Sequence, residues 1–331
     1  MKGRIVMKTF QIMNDRHQLK ISKLIFGTTY IGNMEQQQAF EQMDTYYRLG
    51  GRCIDTARIY SNLEPTDKRP SEEVIGEWME KHHLRQEIVI STKGGHPPYG
   101  NMNASRLTKR ELETDLQQSL QALKTDYVDL YWLHRDDENL PVGEIMETLH
   151  AFVEAGKVRC LGASNWSIDR IEQANQYAKE HQLTPFSASQ IQWSLGKTTP
   201  KNMSDETLVC MNTENYTQYL KKQIPIFAFE SQAKGLFSKL AQMSEAELPI
   251  KVKQRFLAAD NRDINLAIAS KVMKLAQQYQ VSPAVISLAY ITCNPLTAGA
   301  IIGCSNTKQL EDSMKAADFG LSENEVNWLG D

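Results

Sequence analysis

The chain has 331 residues, with 37 Lys and Arg against 40 Asp and Glu, a net charge of −3 with histidine neutral. Hydrophobic residues make up 41% and charged residues 23%, which excludes a disordered chain, and no basic stripe marks a nucleic-acid protein. No apolar run approaches the ~20 residues of a membrane helix, so no membrane partner is expected. The basic start (MKGRIVM) lacks the apolar segment of a signal peptide. Five cysteines, odd in number and without a C-x-x-C pair, read as free thiols in a reducing, cytoplasmic compartment.

Taken in chain order, a strand is expected at 21–27 (ISKLIFG), a helix at 36–49, and a strand at 52–56 (RCIDT). A helix follows from Ser71, whose Ser-x-Glu opening suits a cap. The run 87–92 (EIVIST) reads as a strand. The segment 108–123 shows 3.6-residue periodicity, with Thr108 and Glu111 placed as a capping box. Next come a strand at 128–133, a helix at 142–155, a strand at 158–163 and a helix at 168–180. Strands near 187–191 and 224–229, helices over 264–279 and from Pro283, a strand at 299–302 and a helix over 307–317 complete the set. The stretch 196–215 has no pattern and is expected to be a long loop.

Eight apolar strands alternating with helices indicate a parallel sheet covered by helices. No linker divides the chain, so the expectation is one domain over 1–331, core about 20–320. Its form is a (β/α)8 barrel with long loops at the C-terminal face. The rival, an open doubly wound sheet, would advertise G-x-G-x-x-G after its first strand, and no such match occurs.

Barrel chemistry sits where strands end. The strand ends here offer Asp55 with Tyr60 five residues on, Lys93, His134, Ser164 with Asn165, and Gln190 with Trp193. No metal-ligand pattern such as H-x-H or H-E-x-x-H is present, so no metal is expected.

These residues carry a resemblance. Ile54-Asp55-Thr56-Ala57-Arg58-Ile59-Tyr60 resembles the D-T-A-x-x-Y motif of the aldo-keto reductases. Ser71-Glu72-Glu73-Val74-Ile75-Gly76 is similar to their S-E-x-x-[IVL]-G. The run Asp126-Tyr127-Val128-Asp129-Leu130-Tyr131-Trp132-Leu133-His134 matches D-Y-[IV]-D-L-x-x-[IVL]-H, and the stretch from Gly156-Lys157 to Ser164-Asn165-Trp166 resembles G-K-[IV]-R…G-x-S-N-[FW].

The resemblance implies reduction of an aldehyde or ketone by a nicotinamide cofactor, or the reverse reaction. Tyr60 would be the general acid, Lys93 and Asp55 its tuning pair, and His134 the partner that orients the carbonyl. A tyrosine hydroxyl ordinarily titrates near 10, and a lysine ammonium beside it stabilises tyrosinate. The alternative is a regulatory module of the same fold that binds the cofactor with little turnover.

By the same resemblance Ser164, Asn165 and Gln190 would hold the nicotinamide carboxamide, and Trp193 would stack on its ring. Lys234 and Gly235, in Ala228-Phe229-Glu230-Ser231-Gln232-Ala233-Lys234-Gly235, fall where the family binds phosphate, with Glu230 expected to turn away or face the substrate. Gly303, Ser305 and Gln309 fall in the segment that clasps the cofactor. Ser305 stands where a basic residue often reads a 2′-phosphate, so NADPH (NADP) is expected over NADH (NAD) only modestly. Tyr30, His96 and Trp166 are expected to shape the substrate pocket, in loops whose polar and aromatic groups suit a hydroxylated carbonyl.

Overall fold

The computed structural model describes residues 6–61 and 69–331; most of the basic opening segment read for a leader lies outside the described residues. Among the described residues ten strands are present: β1 (Thr9–Met13), β2 (Gln18–Ser22), β3 (Leu24–Gly27), β4 (Cys53–Asp55), β5 (Val89–Gly94), β6 (Val128–Leu133), β7 (Val158–Ser164), β8 (Phe186–Gln192), β9 (Ile226–Phe229) and β10 (Ala298–Ile302). The last eight close into a parallel barrel in chain order, with β10 pairing β3 at the seam. This is the expected (β/α)8 barrel.

The helices are α1 (Gln36–Arg48), α2 (Ser71–His82), α3 (Lys109–Ala122), α4 (Val142–Glu154), α5 (Ile168–Glu180), α6 (Thr213–Lys222), α7 (Leu236–Leu240), α8 (Ile250–Phe256), α9 (Arg262–Tyr279), α10 (Pro283–Thr292), α11 (Thr307–Met314) and α12 (Glu323–Gly330). The capping box before α3 forms as expected, Thr108 and Glu111 exchanging bonds. Ser71 does not cap. Pro70 occupies the cap position, and Ser71 Oγ instead donates to the Thr28 carbonyl at 2.8 Å, tying α2 to the loop after β3. The expected loop over 196–215 ends earlier, at Asn212, whose side chain accepts the Asn215 N–H at 2.7 Å and opens α6.

The expected strand 21–27 is two strands. Residues of β2 pair antiparallel with β1 (Ile12↔Leu19, Phe10↔Ile21), and only β3 enters the barrel. The hairpin turns Phe10, Ile12, Leu19 and Ile21 into the barrel's N-terminal end, against Ile25, Leu130, Trp132 and Phe227. Phe10 meets Phe227 edge-on at 5.6 Å, and Trp132 meets Phe227 at 4.9 Å. Gly299 makes room for this plug, since a Cβ there would lie 2.8 Å from the Phe10 ring. A second apolar layer, with Ile54, Ile90, Leu133, Leu161 and Ile191, packs between sheet and helices. Inner and outer layers alternate along each strand with period two.

Candidate active site

That alternation builds the site. In the barrel interior Cys53, Leu130, Trp132, Ala188 and Phe227 form an apolar tier. Two residues further along the same strands stand Asp55, Gln190 and Phe229, with His134 two beyond Trp132. Register aligns the tier across the barrel, with Asp55 beside Ser91, Lys93 beside Trp132 and Ser164 beside Gln190. Apolar residues therefore fill the lower barrel, and one further step carries each strand into a polar ring at the C-terminal mouth.

Asp55 is the hub of that ring. Its Oδ2 accepts from Lys93 Nζ at 2.6 Å, and its Oδ1 accepts from Ser91 Oγ at 2.7 Å and Gln190 Nε2 at 3.0 Å. Lys93 Nζ also donates to the Thr56 carbonyl at 2.8 Å and to the Tyr60 hydroxyl at 3.2 Å. The Lys93 side chain is 1% exposed, and burial by itself lowers an ammonium's pKa. The Asp55 carboxylate and the Tyr60 oxygen outweigh that, and Lys93 titrates above its ordinary value. A charged ammonium is thus held against a half-buried tyrosine hydroxyl.

His134 stands edge-on to Tyr60, ring centroids 5.9 Å apart, and His96 stands edge-on to His134 at 4.6 Å. Burial, and after it the neighbouring His96, Arg135 and Lys93, hold His134 far below the usual histidine range. Its Nδ1 is buried without a partner. An orphaned buried N–H is rarer and costlier than a bare lone pair, so the single proton of this neutral ring belongs on Nε2. The ring is then a neutral donor beside the Tyr60 hydroxyl. Arg135, which follows it, is buried and bonded to the His134 carbonyl (2.8 Å), Thr207 Oγ1 (2.9 Å) and Asp205 (3.0 Å), clamping the loop after β8 onto the β6 end.

Ser164, Asn165 and Gln190 are buried next to this cluster. Asn165, with φ at 59°, turns its amide to donate to Ser164 Oγ at 3.1 Å while its Oδ1 accepts the Val209 N–H at 3.2 Å. The Ser164 hydroxyl proton and Gln190 Oε1 have no partner among the described residues. They offer one donor and one acceptor to a planar amide.

Two expected positions lie elsewhere. Trp193 is 2% exposed, its ring edge-on to Tyr216 of α6 and Tyr290 of α10. Gln190 and Gln192 share the inward parity of β8, so residue 193 faces the helices; it packs the outer layer and cannot stack on a ligand in the barrel. Trp166 is fully buried, against Phe186 at 5.3 Å and under the Arg170 guanidinium, with none of its surface open to the mouth. The aromatic ring that the mouth does offer is Phe229, half-buried at the end of β9 and two residues beyond inward Phe227. Parity with Phe227 was the signal for it. Tyr30 and Tyr99 are exposed at 61% and 55%, and Tyr99 stacks on His96.

At the other end of the mouth, the chain after β9 holds Glu230, Ala233, Lys234 and Gly235 in left-handed backbone. Glu230 is held by two cations. Its Oε1 pairs with Lys234 Nζ at 3.2 Å and with the Arg255 guanidinium, while Oε2 is buried without a partner. Two cations sharing one carboxylate leave a net positive charge that could hold a phosphate. Arg255 comes from α8, 25 residues from Glu230 in sequence, and no motif pointed to it. Beyond β10, Gly303 borders open space, and Ser305 N donates to Gln309 Oε1 at 3.0 Å. Asn306 caps α11 by accepting the Gln309 N–H at 3.0 Å. Gln232 Nε2 donates to Ser313 Oγ at 2.9 Å, fastening the two loops together.

The model of the Aldo/keto reductase family matches residues 23–329. The chain is 29% identical to a Saccharomyces cerevisiae protein named as an aryl-alcohol dehydrogenase, over 94% of this chain and 83% of that one. It is 27% identical to the norsolorinic acid reductase of Aspergillus flavus, over 97% and 80%. Over a shorter stretch, 53% of this chain and 48% of the other, it is 37% identical to an aryl-alcohol dehydrogenase of Pestalotiopsis microspora.

Proposed function

Because the chain belongs to the aldo/keto reductase family and is an NAD(P)-dependent oxidoreductase of carbonyl and alcohol groups, we propose that Tyr60 protonates the carbonyl oxygen, with Lys93, Asp55 and His134 setting its position and charge. The observation that carries this reading is the Lys93 ammonium bonded at once to Asp55 and to the Tyr60 hydroxyl. Negative charge grows on a carbonyl oxygen as a hydride reaches its carbon, and a donor fixed there beforehand stabilises it. The Tyr60 hydroxyl and His134 Nε2–H are two such donors. Lys93 holds the tyrosinate that remains once the proton has moved, and Asp55 keeps Lys93 charged.

A nicotinamide dinucleotide fits the residues around this point. Its carboxamide needs an acceptor and a donor, which Gln190 Oε1 and the Ser164 hydroxyl supply with Asn165 behind them. Its ring needs an apolar face, which Phe229 offers. Lys234 and Arg255 would hold its phosphates, with Gly235 allowing close approach. When bound, the dinucleotide supplies or takes the hydride. For the 2′-phosphate we favour NADPH modestly. The Ser305 hydroxyl can donate a hydrogen bond, and α11 turns its positive end to the same region. Tyr30 and Tyr99 at the mouth, with relatives named for aryl alcohols, make aromatic aldehydes the first substrates to try. Five unpaired thiols suit a cytoplasmic setting. No helix among the described residues is long and apolar enough to cross a membrane.

Fluorescence titration with NADPH and NADH, followed by a carbonyl panel with the tighter one, tests the reading. Saturable quenching with turnover of at least one aldehyde is expected. Binding without any turnover would instead favour a regulatory module.

A further inference from the structure

His96 sits beside the chemistry but is absent from the reaction as derived. Gly94 ends the Lys93 strand and Gly95 follows it directly. A Cβ on Gly94 would lie 1.9 Å from the Tyr131 hydroxyl, and Gly95 has φ at +69°. The two glycines let the chain turn sharply and fold His96 back over the mouth. Pro97 restricts His96 to extended backbone, and the ring is then fixed on three sides. Nδ1 lies 2.6 Å from the Pro97 carbonyl, Tyr99 stacks on one face at 5.5 Å, and His134 stands edge-on at 4.6 Å.

A carbonyl oxygen only accepts, so the Pro97 contact requires the proton on Nδ1. Burial, and next the Arg135 charge, push His96 down to about 4, so the ring carries one proton and Nε2 is a bare lone pair. Nε2 has no partner among the described residues. The mouth therefore holds two donors, Tyr60 O–H and His134 Nε2–H, and beside them one fixed acceptor. A substrate carbonyl satisfies the donors but not the acceptor, which needs an O–H from the substrate itself.

We propose that His96 is a specificity-determining residue whose Nε2 accepts a hydrogen bond from a hydroxyl neighbouring the carbonyl, so that the preferred substrates are hydroxy-aldehydes or hydroxy-ketones. The two rings lie 4.6 Å apart, close enough for one small substrate to meet both, its hydroxyl carried within one or two carbons of the carbonyl. The inference rests on the carbonyl-reduction reading and deepens it.

The test is the ratio of kcat/KM for glyceraldehyde over propanal, measured for the wild type, His96→Phe and His96→Gln. Phe keeps the ring and removes the acceptor, so the ratio should fall about tenfold, the size of one hydrogen bond lost with its partner left unpaired, mostly through the KM of glyceraldehyde. Gln carries an acceptor oxygen and should restore most of the ratio. An unchanged ratio, or equal loss on both aldehydes in both variants, would overturn the role of His96. Propanal guards the premise: if the wild type reduces neither aldehyde, the carbonyl-reduction reading fails and this one with it. Propanal turnover with an unmoved ratio removes His96 alone.

Discussion

The two ends of the barrel mouth are built on opposite plans. Around Asp55 and Lys93 every charged or polar group sits on a strand end or the turn just after it. The ion pair is 3% and 1% exposed, and Asp55 takes three hydrogen bonds. Around Glu230 and Ser305 the groups sit on loops and on the short helices that follow them. Glu230, Lys234 and Arg255 remain 18–27% exposed, and Ser305 and Gln309 satisfy each other. Groups that must hold a proton to within tenths of an ångström belong on rigid strands, where neighbouring hydrogen bonds fix them. Groups that meet a charged, flexible chain can sit on loops that rearrange, with internal counterions standing in until it arrives.

The comparison breaks most sharply at Tyr60. Tyr60→Phe should lower kcat for any aldehyde by about 10²–10⁴-fold, the usual worth of a general acid, while dinucleotide affinity by fluorescence titration stays within about twofold. A variant that kept more than about a tenth of wild-type kcat would remove Tyr60 from the role. Asp55→Asn should act on the fold as well as on turnover. It leaves Lys93 buried without its counterion, a loss of about 3–5 kcal/mol readable as a lower urea midpoint. No comparable change is expected from Glu230→Gln, whose cations reach solvent.

His96 sharpens the contrast through pH. Its folded-state pKa, about 4, lies below the unfolded value near 6.5, so the unfolded chain takes the proton first. Its contribution is full above pH 6.5 and is lost as pH falls toward 4, amounting to about 3 kcal/mol. Urea titrations at pH 7 and pH 4.5 should show a smaller difference in His96→Phe than in the wild type. An identical difference in both would mean the ring is not held neutral.

At the loop-built end the effects should be smaller and salt-sensitive. Lys234→Ala should weaken both dinucleotides several-fold at low ionic strength, and less in high salt. Unchanged affinity at low salt would mean that this turn does not carry the phosphates. Ser305→Arg should tighten NADPH by a few-fold, within the ~0.3–2 kcal/mol of such charge contacts, and leave NADH alone. If NADPH affinity does not move, the 2′-phosphate lies elsewhere.

What the sequence made legible follows the same division. Most barrel strands stand out because they are buried on both faces and read as short apolar runs; β6 and α5 fall on their expected bounds. The hairpin escaped because β1 and the polar half of β2 alternate with solvent, and residues 21–22 merged with 24–27 into one strand. Asp55, Lys93 and His134 were readable because a strand end is visible in sequence and their spacing from it is short. Trp193 went wrong by one residue of parity, the only difference between a ring facing the ligand and one facing α10. Arg255 was invisible because its partner is set by the path of a long loop, which no local pattern encodes.

The apolar hairpin that fills the barrel's lower end also bears on the order of events. With the floor stoppered by Phe10, Ile12, Leu19 and Ile21, the described residues leave the mouth as the way in, and whatever goes deepest must go in first and come out last. On the proposed reading, in which the nicotinamide ring lies beneath the reacting carbonyl, the dinucleotide has to enter ahead of the substrate. It can leave only after the alcohol has gone, so turnover takes on the logic of a queue.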